Sequence, residues 1–239
     1  MIDQKKQHEL VLVMPVYNEE DCIAGVVRQW AEVLERTVPD YKMLVLNDGS
    51  RDRTARALEP FANNPKIEIV DKPNSGHGPT ILMGYRRAVA EGAWVFQTDS
   101  DDEMPAESFP ELWGRREDFD FLFGARGGRE QSLGRKLISQ VSRLAVRLLF
   151  KPGVDDVNTP YRLMRAEALA EILPAIPDDA FAPNVIISGL CARRGCRIDN
   201  AVVPHRGRRT GSVSIVKWKL WKSAARALVQ TINVAMRSR

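Results

Sequence analysis

Short apolar runs alternate with amphipathic helical segments through the first part of the chain, and this alternation limits its possible folds most strongly. A continuous apolar run is typical of a strand that is covered on both faces, as in a parallel sheet. Strands that alternate with helices predict an α/β fold: a mostly parallel sheet flanked by helices, with ligands beyond the strands' carboxyl ends. The predicted strands are Leu10–Tyr17, Tyr41–Leu46, Lys66–Val70 and a run beginning at Trp94, and the predicted helices are 18–37, 52–62 and 78–91.

The second half of the chain continues this pattern and ends in a basic helical segment. No repeat or low-complexity linker interrupts it. We therefore expect one domain over residues 1–214 and a basic amphipathic C-terminal helix over residues 215–239. The further predicted elements are strands Phe119–Ala125 and Cys196–Pro204, and helices Ser132–Phe150, Ala166–Leu173, Pro183–Arg193 and Ile215–Met236.

A cluster of acids follows the run that begins at Trp94. If the chain stays extended through Ser100, Asp99 and Asp101 project to the same side, because strand side chains alternate with a period of two. Neighbouring carboxylates repel each other unless a cation joins them, and oxygen ligands favour Mg²⁺ or Mn²⁺. Such an ion can hold a diphosphate as it leaves. The alternative is an acidic turn before a helix that begins at Pro105.

Polar residues also follow other predicted strands. Tyr17–Asn18 and Asn47–Gly49 stand at strand ends, as Asp99–Asp101 does. The coincidence of these ends indicates one site more strongly than any single motif does. The turn Gly76–Gly78 does not indicate a dinucleotide site, because Ile81 occupies the place of the third glycine and the turn follows the third strand rather than the first.

The composition is that of an ordinary soluble globular protein. Its 239 residues suffice for one large core, with 44% hydrophobic and 28% charged residues. Three scattered cysteines lack metal-ligand spacing, which predicts a reducing compartment without disulfides. The polar residues 1–10 do not resemble a secretory signal, and no apolar run is long enough to cross a membrane. We expect a cytoplasmic protein, and the sequence leaves open a peripheral position on the cytoplasmic face of the membrane.

The charge of the chain is uneven, although the net charge is only +4. From Arg206 to the end there are nine Lys and Arg residues and no acid. This asymmetry indicates an anionic partner for the C-terminal segment. We expect no nucleic-acid partner, and the sequence leaves a homo-oligomer open.

The predicted C-terminal helix has more than one possible role. Tryptophan and lysine together suit the interface of an anionic membrane. The same pattern fits a helix that packs on the domain or against a second subunit. Its predicted apolar stripe, at spacings near three and four, consists of Trp218, Trp221, Ala225, Leu228, Val229 and Ile232.

An ordered set of short motifs resembles the family 2 glycosyltransferases, and among them the dolichol- or polyprenyl-phosphate sugar transferases. The likeness extends from about residue 10 to about residue 214. It implies a GT-A fold, a GDP- or UDP-linked sugar donor, a divalent cation (Mg²⁺ or Mn²⁺) and inversion at the anomeric carbon. The motifs are Pro15–Glu19, Asn47–Asp52, Asn74–Gly78, Asp99–Asp101 and Gly124–Arg126.

The resemblance also implies roles for particular residues on the donor side. Pro15, Tyr17 and Glu19 would line the nucleoside pocket. Asp48 would accept hydrogen bonds from the base. A strand end followed by a turn is the purely structural alternative for all four residues.

Further residues are implied around the diphosphate. Asp99 and Asp101 would hold it through the metal, with Glu103 as a third oxygen ligand. Planar guanidinium groups pair with phosphate through two hydrogen bonds. The arginines that the resemblance places against anionic oxygens are Arg126, Arg162 and Arg208, the last in a basic motif that closes over the donor phosphates.

The chain departs from the family pattern at several positions. Asn47 replaces an acid, His77 stands in place of a lysine, and Asn184 lies where an acid is common in the subgroup. The metal and nucleotide sites remain consistent with the pattern. The identity of the sugar and of the acceptor does not follow from it.

The acceptor determines which residues take part in the chemistry. A lipid phosphate is already anionic and needs no general base, whereas a sugar hydroxyl needs a carboxylate, for which Asp156 is the candidate. Asp101 and Arg208 would stabilise the leaving group in either case. Two other functions stay open: a soluble family 2 transferase that extends a glycan, and a non-catalytic subunit that binds a nucleotide-sugar.

Overall fold

A computed structural model describes the protein at residues 6–127, 140, 143–144, 146–150, 153–207 and 217–237, with side chains in the last range from Lys222 onward. Within these ranges one seven-stranded sheet has the strand order β3-β2-β1-β4-β6-β5-β7. All neighbouring strands are parallel except β6, which is antiparallel to both β4 and β5. The strands are β1 His8–Val16, β2 Tyr41–Asp48, β3 Ile67–Lys72, β4 Gly92–Gln97, β5 Phe121–Gly127, β6 Arg162–Arg165 and β7 Ile198–Pro204.

Helices cover both faces of this sheet, as the apolar runs predict. The side chains of β1 show why: Leu10 and Leu12 pack into one core cluster, and Val11 and Val13 pack into the other. Successive side chains of a strand point to opposite faces, so a run without polar residues needs a helical layer on each side. The expected α/β fold with a mostly parallel sheet is confirmed.

Most helices agree with the predicted ones within two residues, but the first helix begins five residues later than expected, and the predicted helix 52–62 is a short helix followed by a single 3₁₀ turn. The helix Phe109–Gly114 was expected only under the alternative in which a helix follows the acidic turn. Most of the predicted helix Ser132–Phe150 lies outside the described residues. The helices are α1 Ile23–Thr37, α2 Thr54–Leu58, α3 His77–Glu91, α4 Phe109–Gly114, α5 at residues 143–144 and 146–149, α6 Ala166–Ile172, α7 Pro183–Arg194 and α8 Lys217–Arg237. Short 3₁₀ turns lie at Glu59–Phe61, Ala106–Ser108, Arg116–Asp118 and Leu173–Ala175.

Strand β6 was not predicted from the sequence. Its full length pairs with Trp94–Gln97 of β4 and places Leu163 and Met164 in the two core clusters. A strand of four residues that ends at a helix leaves only a weak periodic signal, since the period-two pattern needs a longer run. Its insertion separates β4 from β5 and makes the sheet mixed.

The C-terminal helix α8 packs on the same core as the sheet. Val234 and Ala235 are buried in the cluster that also contains residues of α3 and α7, and Thr231 is buried beside them. The predicted stripe is therefore not the face that packs: Val229 and Ile232 are exposed. The described side chains support packing on the domain for one face of α8 and leave the other face in solvent. Among the described residues, no helix combines the length and apolarity that a membrane span requires.

Candidate active site

The loops after β1 and β2 are joined by hydrogen bonds at the carboxyl edge of the sheet. Asn18 adopts a positive φ of 54°, its backbone N–H donates to Ser50 Oγ at 3.0 Å, and its Oδ1 accepts from the Arg51 backbone at 2.8 Å. Asparagine tolerates this conformation better than most residues. Gly49 has φ 65°, and a Cβ there would lie 2.7 Å from the backbone nitrogen of Asn74. The two loops therefore form one rigid wall.

The predicted nucleoside residues lie at the end of β1 and in the loop after it. Pro15 is buried within the strand, Tyr17 is half-buried and Glu19 is buried. The Glu19 backbone N–H donates to Thr54 Oγ1 at 2.8 Å, which fixes the loop against α2. Cys22 Sγ lies 3.3 Å from Glu19 Oε2 and 3.5 Å from the Ser100 carbonyl, so the β1 loop also contacts the acidic segment after β4.

Asp48, the predicted acceptor for the base, is buried and already bonded by the protein. Lys72 Nζ pairs with its Oδ1, and the backbone N–H groups of Ser75 and Gly76 donate to Oδ1 and Oδ2 at 2.8 and 2.9 Å. Burial alone would raise the pKa of Asp48, but the hydrogen bonds from Lys72 and Ser75 outweigh it and hold this pKa below its ordinary value. Asp48 thus anchors the loop between β3 and α3.

The acidic segment begins one residue after β4. The strand ends at Gln97 and the backbone bends from Ser100 onward, so the expected extension through Ser100 does not occur. Asp99 is partly exposed, accepts a hydrogen bond from Gln97 Nε2 at 3.1 Å and lies 3.9 Å from His77 Nε2. Asp101 accepts the Glu103 backbone N–H at 3.2 Å.

Glu103, the predicted third metal ligand, pairs with a histidine in this structure. Its Oε2 lies 2.9 Å from His205 Nε2, and its carbonyl accepts the Arg206 backbone N–H at 2.9 Å. Among the residues that the structure describes, no three His, Cys, Asp or Glu side chains are grouped closely enough to hold a metal ion. The Glu103–His205 pair instead connects the loop after β7 with the acidic segment.

The remaining acids fit a cation that is shared with a substrate. Mg²⁺ in phosphate-transferring sites commonly takes one or two carboxylates and completes its shell with phosphate oxygens and water. Asp99 and Asp101 supply two hard oxygen donors at a partly exposed edge. This donor set suits Mg²⁺ or Mn²⁺ bound together with a diphosphate.

A buried network of polar side chains fixes Gln97, the residue that donates to Asp99. Asn184 Nδ2 donates to Gln97 Oε1 at 2.9 Å, and the Tyr85 hydroxyl lies 2.8 Å from Asn184 Oδ1 and 3.1 Å from Gln97 Oε1. Burial raises the pKa of Tyr85 far above its ordinary value, so its hydroxyl remains a donor. With Oε1 occupied, the Gln97 amide nitrogen faces Asp99. The sequence contained one sign of this role, a glutamine inside an apolar strand.

Arg126, near the carboxyl end of β5, forms a bidentate ion pair with Asp156. Arg126 Nε lies 2.7 Å from Asp156 Oδ2, and its Nη2 lies 3.0 Å from Oδ1. The following turn is fixed by Thr159 Oγ1, which donates to the Gly124 carbonyl at 2.5 Å. The structure therefore brings together two residues that the sequence had assigned to different partners, one to an anion and the other to a proton.

Arg162 does not face anionic oxygens as expected. It is fully buried in β6, and its guanidinium donates to the backbone carbonyls of Thr159, Asn184 and Val157 at 2.7 to 3.4 Å. Burial lowers its pKa. Arg162 holds the turn that contains Asp156 against α7, which is a structural role. The third predicted arginine, Arg208, lies outside the described residues.

Three residues at this edge were not predicted, namely Lys72, Gln97 and His205. Each contacts an acid that the sequence did single out: Asp48, Asp99 and Glu103 respectively. The partners are separated by 24 residues for Lys72 and by 102 for His205. Short motifs contain no information on such distant pairs. The arrangement as a whole is an edge of carboxylates and loops suited to an anionic ligand with a cation.

Comparison with known proteins identifies relatives of this chain. A sequence profile of Glycosyl transferase family 2 matches residues 11–173. Undecaprenyl-phosphate 4-deoxy-4-formamido-L-arabinose transferase from Pseudomonas fluorescens (strain Pf0-1) is 29% identical over 85% of the chain, and that from Pectobacterium atrosepticum (strain SCRI 1043) is 28% identical over 89%. The matches cover only 59% and 63% of these relatives, so this chain spans about three fifths of their length.

Solved structures show the same fold at low identity. Glucosyl-3-phosphoglycerate synthase from Mycobacterium tuberculosis, with Mn²⁺, uridine diphosphate and phosphoglyceric acid, matches with a TM-score of 0.71 at 16% identity, over 95% of this chain and 78% of its own. The same enzyme with Mn²⁺, uridine-diphosphate-glucose and phosphoglyceric acid gives 0.70 at 16% identity, over 95% and 80%. The likeness confirms the expected fold. Since the family profile also covers more than half of the chain, this protein belongs to glycosyltransferase family 2.

Proposed function

We propose that this chain is the catalytic domain of an inverting, metal-dependent glycosyltransferase. It transfers a sugar from a GDP- or UDP-linked donor to a polyprenyl-phosphate-type acceptor at the cytoplasmic face of a membrane. The strongest support is one observation: the acidic segment with Asp99 and Asp101 lies at the same edge of the sheet as the loops after β1 and β2. The curated relatives act on undecaprenyl phosphate, and the structural neighbours bind uridine-diphosphate-glucose with Mn²⁺.

The donor's nucleoside would lie along the wall formed by the first two loops. Tyr17 presents a half-buried ring there, beside Pro15 and Glu19. Asp48 keeps a lone pair on Oδ2 that can accept a hydrogen bond from the base, since a carboxylate oxygen has two. Its ion pair with Lys72 fixes the loop that would border the base.

The diphosphate would lie over the acidic segment. Asp99 and Asp101 would hold a divalent cation against it, and when bound that cation would offset the negative charge that develops on the leaving group. Gln97 keeps the Asp99 carboxylate oriented. Arg208, from the basic motif after β7, would add a cationic hydrogen-bond donor to the same phosphates.

The Arg126–Asp156 pair favours an anionic acceptor over a sugar hydroxyl. Both Asp156 oxygens accept hydrogen bonds from one guanidinium, an arrangement that stabilises the carboxylate and weakens it as a base. A phosphate oxygen needs no base. We place the acceptor phosphate near Arg126. Its guanidinium can donate hydrogen bonds to the phosphate in place of Asp156, or to both at once.

The reaction then consists of one displacement. An acceptor phosphate oxygen attacks the anomeric carbon, the bond from that carbon to the diphosphate oxygen breaks, and the bonding electrons leave with the nucleoside diphosphate. Attack from the opposite side inverts the anomeric configuration. No proton needs to be moved, so the side chains bind, orient and stabilise charge.

A donor panel tests the proposal. Purified protein is incubated with GDP- and UDP-sugars and Mn²⁺ or Mg²⁺, with and without a short-chain polyprenyl phosphate, and nucleoside diphosphate release is measured. We expect release that requires both the cation and the lipid phosphate. Asp101→Asn should lower it about a hundredfold or more. Full activity after chelation would contradict the metal-dependent mechanism, and donor binding without turnover would indicate a binding subunit.

Transfer to a free glycan would support the alternative acceptor. In that case Asp156→Asn should abolish transfer, because a hydroxyl must lose its proton to a base. With a lipid phosphate, the same variant should retain chemistry at a reduced rate, since only the partner of Arg126 changes. The two outcomes separate the two acceptor classes.

A further inference from the structure

Two neighbouring helices expose apolar side chains on the outer surface of the protein. On α5, Leu144 and Leu148 are 57% and 77% exposed. On α8, Val229, Ile232 and Met236 are 55%, 37% and 62% exposed. Spacings of three, four and seven place the members of each set on one helix face. We call these five side chains the α5–α8 surface.

The two helices lie side by side at their C-terminal ends. The guanidinium of Arg193 donates to the carbonyl of Ala235 on α8 at 2.7 Å and also to the carbonyl of Leu149 on α5. Phe150 and Val234, from the buried sides of the same ends, belong to one core cluster. One side of each helix is thus fixed in the core, and the other is exposed.

The charge around this surface is basic. The chain has no acid from Ser132 to Val154, nor from Arg206 to Arg239. Arg143, Lys222 and Arg237 are exposed, and Lys222 lies seven residues before Val229 on the same helix face. Two acids from other segments pair with basic residues of these helices: Asp155 lies 4.0 Å from Arg147, and Asp179 lies 2.7 Å from Arg226. Apolar side chains bordered by cations match a layer of anionic headgroups over hydrocarbon.

Helix α8 is connected to the edge of the sheet that contains Asp99 by a short series of contacts. Gln230 of α8 accepts the Phe181 backbone N–H at 2.8 Å. The neighbouring carbonyl of Ala180 packs so tightly on Gly78 that a Cβ there would approach it to 2.0 Å. Gly78 follows His77, whose ring faces Asp99. A bilayer against α8 would therefore present its headgroups a few contacts away from the carboxylates.

We infer that the α5–α8 surface is the face with which this protein lies on an anionic lipid bilayer, with Leu148 and Met236 inserted below the headgroups. The inference deepens the proposed function, on which it rests for the lipid nature of the acceptor. It assigns the contact to two helices, whereas the sequence indicated the C-terminal helix alone. The inference does not depend on Trp218 and Trp221, the tryptophans of the predicted apolar stripe.

Vesicle binding by the full chain tests the inference. Flotation is measured with vesicles of equal parts phosphatidylcholine and phosphatidylglycerol, and with phosphatidylcholine alone. We expect binding to the anionic vesicles and weakening by salt. The double variant Leu148→Ser with Met236→Ser should bind about tenfold or more weakly. Lys222→Ser and Arg237→Ser should each weaken binding about fivefold.

Val202→Ser is the matched control. Val202 is 76% exposed on β7 and belongs to neither helix of the α5–α8 surface, so its replacement should leave vesicle binding unchanged. Circular dichroism verifies that every variant is folded. Equal binding by the wild type and the double variant, or no binding by the wild type, would overturn the inference. So would a concentration-dependent dimer that the double variant abolishes, because the surface would then serve a second copy.

The result does not depend on catalysis, because flotation needs no donor. If vesicles bind as expected but no nucleotide-sugar is used, the proposed reaction fails and the docking surface stands. If the protein turns over a donor in detergent but does not bind vesicles, the proposed reaction stands and the docking surface is rejected. The double variant should retain turnover of a short-chain, water-soluble acceptor.

Discussion

At the scale of single residues, the site depends on how its carboxylates are held. Asp99 faces solvent on one side and a neutral amide on the other. An amide donor orients a carboxylate without cancelling its charge, which leaves the charge available to a cation. Asp48 is the opposite case, because Lys72 neutralises it. The same residue type at two strand ends thus has different surroundings.

Replacing Gln97 by alanine should weaken metal binding. Asp99 would lose its orienting donor, and changes of this kind typically cost about 10- to 100-fold in metal affinity. Mn²⁺ binding in the presence of a nucleoside diphosphate, followed by electron paramagnetic resonance, measures the effect. Tyr85→Phe should give a smaller loss, because Asn184 still bonds to Gln97. Unchanged Mn²⁺ affinity in folded Gln97→Ala protein would mean that the network only supports the fold.

Asp48→Asn should destabilise the protein in a pH-dependent manner. The pKa of Asp48 is lowered in the folded state, so its ionised form stabilises the fold above the unfolded pKa of about 4. This contribution disappears as the pH falls through the folded pKa. Urea unfolding at neutral pH should show a loss of about 1–3 kcal/mol, and the difference from wild type should shrink in acid.

Glu32→Gln provides the comparison for that measurement. Glu32 is exposed on α1, and its replacement should change the free energy of unfolding by less than about 0.5 kcal/mol. A loss for Asp48→Asn that does not vary with pH would show that its hydrogen bonds matter and its charge does not.

The sequence placed these acids at or after strand ends, as the structure does, but it did not indicate their partners. Asp48, Asp99 and Asp101 follow apolar runs, and position after a strand is local information. Lys72 contacts Asp48, and His205 contacts Glu103, only because the chain returns from far away. The same is true of Asn184, which contacts Gln97. The role of Arg162 was wrongly predicted for the same reason: an arginine beside a polar segment looks exposed until a strand such as β6 buries it.

At the scale of elements, α3 is positioned by close backbone contact with the loop before α7. Gly78 is the second residue of α3 and packs against the carbonyls of Ala180 and Phe181. Only a residue without a Cβ permits this approach, which places the start of α3 next to Asp99. The sequence indicated a turn at this glycine but not its contact.

Gly78→Ala should therefore destabilise the fold, by about 1–3 kcal/mol, since the added methyl group must displace backbone. Gly25→Ala is the matched control. Gly25 also lies in a helix, but a Cβ there would meet nothing within 4 Å. That variant should be stabilised by about 0.5–1 kcal/mol through helix propensity. Thermal unfolding of both checks the pair, and a neutral Gly78→Ala would show that the loop yields easily.

At the scale of the whole molecule, α8 belongs to the domain core on one side and to the outer surface on the other. The sequence suggested a separate segment from residue 215, where a helical pattern begins within a stretch that has no acid from Arg206 onward. The basic composition of this segment indicates an exposed helix face. It does not show which of the other side chains are buried in the core. Thr231, Val234 and Ala235 point inward, and they are not the members of the predicted stripe.

Two valines on α8 distinguish a core helix from an appended one. Val234 is 3% exposed and Val229 is 55% exposed. Val234→Ala should lower the free energy of unfolding of the whole domain by about 1–3 kcal/mol, because it removes buried methyl groups. Val229→Ala should change it by less than about 0.5 kcal/mol. If α8 unfolded independently, Val234→Ala would leave the main urea transition in place and produce a second, earlier one. A single shifted transition, detected equally by fluorescence and circular dichroism, is the result we expect.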